Sequence, residues 1–291
     1  MNLSSIWKDP PPVLAFELSE SGIAVARTGS KPELEFCPLK SGVISVSPLR
    51  DNVLEPDELA RAVRATTPPS PGKKRRDVAI VLPDNCARVS VLDFDDFPSD
   101  PKERMSLVRF RIRKSIPFDV ESAAVSYWPQ PAGGKKFEVA VVVTPLEIVA
   151  RYEAPFRAAG LNPGLVTISA LSALHLVEDG TVTVLAKLSG RFLTVLVLEK
   201  GLLRLVRCLE LSQNAIPEMA AELYPTFVYV EDNLGVKAEK LLLCGFGTAT
   251  AQAAQEFRRE LEVEVDALRS PLGMPDENNA GLLGYLRSVS Q

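Results

Sequence analysis

At 291 residues, 46% of them hydrophobic, the chain is long enough to bury substantial cores without disulfide or metal staples, and about 100–200 residues per domain points to two domains. Its 33 basic and 37 acidic residues give a formal charge of −4, which argues against a general nucleic-acid binder. Four scattered cysteines (Cys37, Cys86, Cys208, Cys244) and one histidine (His175) give no zinc pattern and no disulfide framework, and no apolar run approaches the ~18 residues of a membrane span.

The opening MNLSSIWKDPPP lacks the basic-then-apolar pattern of a secretory leader, so reduced thiols in a cytoplasmic protein are expected. Residues 13–18 and 23–28 read as two strands flanking the polar turn Ser19-Glu20-Ser21-Gly22, and 34–39 reads as an edge strand. A helix follows over 56–65, with Glu55, Asp57 and Glu58 at the positive end of its dipole. Residues 66–76, TTPPSPGKKRR, form a surface connection, and the basic run 73–76 reads as a solvated loop.

Strands are expected at 78–82 and 87–94. Asp100, Pro101 and Glu103 then carry the start signal of a helix running to about Ser115. On it Met105, Val108 and Ile112 share one face, while Arg104, Arg111, Arg113 and Lys114 make a basic outer face, suited to water or to an acidic or anionic surface. Ile116-Pro117-Phe118 turns the chain into a hairpin of 123–128 and 137–144. Thr144, Pro145 and Glu147 read as the capping box of a helix ending at Gly160, and Ser169 as the cap of a short helix after a strand at 165–168. His175 on that helix reads as structural. Asp179-Gly180 reads as a hinge.

The stretch 182–211 is the strongest β signal: strands at 182–188, 192–199 and 202–211 joined by Ser189-Gly190 and Lys200-Gly201. It repeats the N-terminal hairpin ~170 residues on, so two similar halves with their turns facing one cleft are expected. Residues 213–233 read as helical but hold Pro217 and Pro225, so a kink or break is expected. A strand at 240–243, the loop Cys244-Gly245-Phe246-Gly247 and a helix over 248–261 form a strand, glycine loop and helix that can aim N–H groups at an anion.

This order of elements resembles the actin-like ATPase superfamily, and within it the PilM-like family of type IV pilus assembly proteins, related to FtsA. The likeness spans about 13–286. Ile116-Pro117-Phe118 followed by Tyr127 resembles the family's I-P-F-P…D-Y segment, and Ala158-Ala159-Gly160-Leu161-Asn162-Pro163 leads to Ala170 and Ala173 as it does there. Leu241-Leu242-Leu243-Cys244-Gly245-Phe246-Gly247 stands for L-L-x-G-G-G, and Ala280-Gly281-Leu282-Leu283-Gly284 closes the pattern. The resemblance implies an α/β fold of duplicated actin-like (ribonuclease H-like) domains: a first half at 1–178 with an FtsA/PilM-type subdomain inserted at about 84–142, and a second half at 179–291.

It also implies a nucleotide cleft lined by Glu17, Ser19, Ser21, Lys187, Ser189, Gly190, Gly245 and Gly247, with ATP or ADP as ligand. The chain departs from the family there: Glu17-Leu18-Ser19-Glu20 replaces D-I-G-S, and Lys187-Leu188-Ser189-Gly190 replaces D-x-G. Loss of both aspartates removes the hard oxygen ligands of Mg²⁺, so a degenerate cleft without metal or catalytic residues, a pseudo-ATPase, is expected. The implied partner is the N-terminal cytoplasmic tail of a PilN-like bitopic protein, met at the inner face of the inner membrane through Ile116, Phe118, Tyr127 and Trp128, apolar side chains of a kind more often found in a core than in a site. An active ATPase or small-molecule kinase is the alternative, and it needs a cleft carboxylate, for which Glu17 is the only candidate placed. The related cytoplasmic module of a type II secretion system is a third reading.

Overall fold

The computed structural model describes residues 10–28, 32–69, 75–131, 136–178, 180 and 182–290. Lys73 and Lys74 of the basic run, and Asp179 of the expected hinge, lie outside the described residues.

The N-terminal hairpin, β1 (Leu14–Leu18) and β2 (Gly22–Arg27), extends into β3 (Leu34–Pro38) on one side. On the other side β1 runs parallel to β4 (Arg76–Leu82), which is parallel to β8 (Leu161–Ile168), giving the order β3-β2-β1-β4-β8. β1 is buried along its whole length because it is central and covered on both faces. Helices α1 (Pro56–Thr66) and α3 (Leu146–Ala158) cover one face, where Leu59, Val63, Ile148, Tyr152 and Phe156 pack on Phe16 and Ile80.

The second sheet has the same plan. The meander β9 (Val182–Ser189), β10 (Phe192–Glu199) and β11 (Leu202–Glu210) is antiparallel, and β9 runs parallel to β12 (Lys240–Cys244), itself parallel to β13 (Glu264–Ala267). The order β11-β10-β9-β12-β13 therefore mirrors the first sheet strand for strand. Its outer helices are α5 (Ile216–Tyr229) and α6 (Thr250–Leu261). α5 runs through Pro225 and widens into a π turn that ends at Gly235 in the left-handed region, so the break falls after the second proline.

Between β4 and α3 a third sheet is inserted: β5 (Arg88–Phe94), β6 (Ala123–Pro131) and β7 (Phe137–Pro145), in the order β5-β7-β6. One face is covered by α2 (Pro101–Ile112), whose Val108 and Ile112 meet Phe94, Phe97, Val139 and Val141. Asp100 caps α2 as the sequence indicates, accepting from the Lys102 and Glu103 N–H groups. The opposite face meets the second sheet, and Gln130 fixes that contact by two 2.8 Å bonds to the Leu203 backbone.

Two short-range signals differ from the reading. Thr144 is buried at the end of β7, and α3 starts after Pro145 with no side-chain cap, because the strand needs that residue more than the helix does. Ser169 opens α4 (Ser169–Ala173) without capping it, because its hydroxyl is turned elsewhere. β13 and α7 (Ala280–Val289) were not expected. Four residues carry little strand signal, and α7 is buried from Ala280 to Leu286 on all sides, which erases helical periodicity.

α4 and α7 join the halves. Ala170 and Ala173 pack with Leu185 and Leu196 of the second sheet, while Leu282, Tyr285 and Leu286 pack on Ala15, Ala24 and Ala79 of the first. Gly281 and Gly284 let the helices touch: a Cβ on Gly281 would lie 2.7 Å from Ser169 Cα, and one on Gly284 would overlap the Ser172 carbonyl. Gly284→Ala is accordingly expected to lower unfolding free energy by about 1–3 kcal/mol through overpacking, measured by urea denaturation.

Candidate functional site

The C-terminal ends of the two central strands, β1 and β9, point at each other across the halves. They bring Glu17 and Lys187 together, 2% and 1% exposed, and the turn after β4 adds Asp84, 5% exposed. Lys187 Nζ lies 3.0 Å from Asp84 Oδ2, which also accepts from Thr194 Oγ1 at 3.1 Å. Asp84 Oδ1 accepts the Ala170 N–H at 2.6 Å, in the first turn of α4. Glu17 accepts from the Ser169 hydroxyl and, at 2.6 Å, from the Leu282 N–H in the first turn of α7. Each carboxylate thus sits at the start of a helix, where unpaired N–H groups favour negative charge.

Burial raises the Glu17 pKa above its ordinary value, an effect that the Lys187 charge and the bonds from Ser169 and Leu282 oppose. For Lys187 burial alone would lower the pKa, but the Asp84 and Glu17 charges outweigh it and hold the ammonium above the ordinary lysine value. Asp84 corrects the sequence reading, in which Glu17 was the only cleft carboxylate. The available signal was a carboxylate directly after a buried parallel strand, at Leu82-Pro83-Asp84, overlooked because it also begins the inserted subdomain.

Above this triad lies a cavity of about 260 Å³ between the hairpin turns, lined by Ser19, Ser21, Asp84, Ser189, Gly190 and Asn278 among others. Glu17 and Lys187 are sealed beneath it, and Gly245 and Gly247 do not line it. Gly245, at φ +81°, packs where a Cβ would overlap the Leu188 carbonyl, so its glycine serves close packing of β12 on the β9 turn. The donors a phosphate would use are engaged by the segment before α7. Gly190 N–H donates to Glu277 Oε2 at 3.2 Å, Ser189 Oγ to the Glu277 carbonyl at 3.1 Å, and Ser19 and Ser21 hydroxyls to Asn278 Oδ1 at 2.8 and 2.6 Å. Glu20 spans the cleft to Arg191 at 3.1 Å and accepts the Val46 N–H at 2.8 Å. Sequence reasoning gave no role to Glu277, Asn278 or Arg191. Among the described residues no group of three or more His, Cys, Asp or Glu is placed to hold a metal ion.

The expected partner residues do not form one surface. Ile116, Phe118 and Tyr127 are half-buried against the core under α2, with Tyr127 edge-on to Phe97 at 5.8 Å. Trp128, next in the strand, points to the opposite face, toward the second sheet. His175 lines a separate cavity of about 270 Å³ with Gln130, Glu178 and Arg287, and burial, with the Arg287 charge, brings its pKa down to about 4.

No known family profile and no curated protein sequence matches the chain. Solved structures do. A chain of a PilM–PilN type IV pilus biogenesis complex is similar at TM-score 0.78 and 19% identity, over 97% of this chain and 99% of that one. A protein of actin-like ATPase fold and unknown function from Bacteroides thetaiotaomicron matches at TM-score 0.59 and 14% identity, over 96% of both. The cytoplasmic domain of EpsL, an inner-membrane component of the type II secretion system of Vibrio cholerae, matches at 0.50 and 12%, over 96% of this chain and 94% of that domain. The chain has the actin-like ATPase fold.

Lys187→Met leaves two carboxylates buried without a counter-charge and is expected to cost about 3–5 kcal/mol. Lys187→Met/Asp84→Asn should be less destabilised than the sum of its single variants by about 1–3 kcal/mol in chemical denaturation, and strict additivity would show that the pair is not coupled.

Proposed function

We propose that the protein is a non-hydrolytic scaffold of a type IV pilus assembly complex. It works at the inner face of the inner membrane and holds the N-terminal cytoplasmic tail of a PilN-like bitopic protein. The likeness to a PilM–PilN complex chain over nearly the full length of both supports the assignment to such a machine. The likeness to EpsL supports the parallel reading as a secretion-system module, at a lower TM-score. Among the described residues no helix is long and apolar enough to cross a membrane, so attachment through a membrane-spanning partner fits the chain.

The observation that carries the non-hydrolytic reading is the commitment of both cleft carboxylates. Phosphoryl transfer in this kind of site needs carboxylates that hold a hydrated metal and orient water. Here Asp84 makes three bonds to protein groups and Glu17 two, and Lys187 is neutralised before any phosphate arrives. ATP or ADP would also have to displace Glu277 and Asn278 from Gly190, Ser19 and Ser21. The work that nucleotide would do in closing the cleft is done by side chains.

For the tail, Ile116, Phe118 and Tyr127 are the proposed anchors, at the margin of the inserted subdomain. An extended peptide there gains main-chain bonds and buries apolar side chains. Trp128, on the other face of β6, is not part of that site.

One series of thermal melts tests both parts. A ligand present at about 100 times its Kd stabilises by about 2.7 kcal/mol, a rise of several degrees. Millimolar ATP or ADP, with or without Mg²⁺, is expected to leave Tm unchanged, whereas a synthetic peptide of the bitopic partner's cytoplasmic tail raises it saturably, less so with Phe118→Ala. A Mg²⁺-dependent rise with ATP accompanied by phosphate release would overturn the non-hydrolytic reading, and a flat response to peptide would overturn the partner.

A further inference from the structure

The outward side of α2 carries cations that the cleft and the partner site leave unused. At 100° per residue, Phe110 stands opposite Val108 and Ile112, which are fully buried, and it is itself 73% exposed. Arg113 and Lys114 follow in the next turn on either side of it, both exposed. The helix's other late cations are held by the subdomain: Arg109 donates to the Val120 and Ala123 carbonyls, while Arg111 lies 5.1 Å over the Phe94 ring and donates to the Asp93 carbonyl. Its acidic residue, Glu103, lies in the first turn, two turns away. Among the described residues no cation of 102–114 is paired with a carboxylate, in a chain whose net charge is −4.

We propose that this end of α2 rests on an anionic lipid surface, with the Phe110 ring at the headgroup boundary and Arg113 and Lys114 against lipid phosphates. Charge complementarity selects an anionic occupant. The ring selects lipid over an acidic polypeptide, since Phe110 projects from the convex side of a helix and a flexible acidic chain would leave it in water, whereas a bilayer interface accepts an aromatic ring flanked by cations. The contact needs no protein partner, so it stands or falls apart from the pilus reading. Weak by itself, it would orient a scaffold already tethered by a membrane protein and add to that tether by effective concentration.

The test is co-sedimentation of the full chain with vesicles of phosphatidylcholine, with and without phosphatidylglycerol, at low and high salt. Binding is expected only to the anionic vesicles and only at low salt. Arg113→Glu/Lys114→Glu should weaken it by about tenfold or more and Phe110→Ser by several-fold, with thermal melts unchanged because all three side chains are exposed. Absence of binding to anionic vesicles, equal binding to neutral ones, undiminished binding by the variants, or binding of polyglutamate in place of vesicles would each overturn the proposal.

Discussion

An ammonium group that is 1% exposed must be neutralised where it sits, and Lys187 finds Asp84 at 3.0 Å with Glu17 close by. The three side chains come from the first sheet, the turn after β4 and the second sheet, so their meeting fixes how the duplicated halves face each other. The same carboxylates take the first N–H groups of α4 and α7, the two helices that cross between the halves. Strand ends, helix starts and the closure of the cleft therefore depend on one charge cluster.

Desolvation consumes most of the Coulombic gain of a buried pair, so its net contribution to stability is small even though removing one partner is costly. The outer contacts, Glu20 with Arg191 and the loops with Glu277 and Asn278, are more exposed and individually weak, but they lie in series over the buried pair. The two hairpin turns are thus bridged by the protein's own side chains, around the cavity of about 260 Å³ that lies between them.

The paired hairpins were legible because short apolar, β-branched runs bounded by glycine turns are local signals, and Asp100-Pro101 marked α2 for the same reason. Thr144 and Ser169 carried equally good local signals and were misread, since a strand end claims the first and Glu17 the second. Glu17 and Lys187 were found as departures from a family pattern, yet their meaning waited for Asp84, about one hundred residues away from Lys187 in sequence. Glu277 and Asn278 were invisible for a related reason: an Asp-Glu-Asn-Asn run reads as a polar loop until its partners are seen. Long-range polar contacts between unlike segments leave no periodicity to read.

The buried contacts of Asp84 and Glu17 require a cleft that is held together without nucleotide. Hydrogen exchange of the Ala170 and Leu282 amides in nucleotide-free protein reads this out, because these N–H groups bond to Asp84 and Glu17. Both amides are expected to be strongly protected in the apo protein and no more so with ATP and Mg²⁺. Rapid exchange that slows only when nucleotide is added would show instead that the ligand closes the cleft.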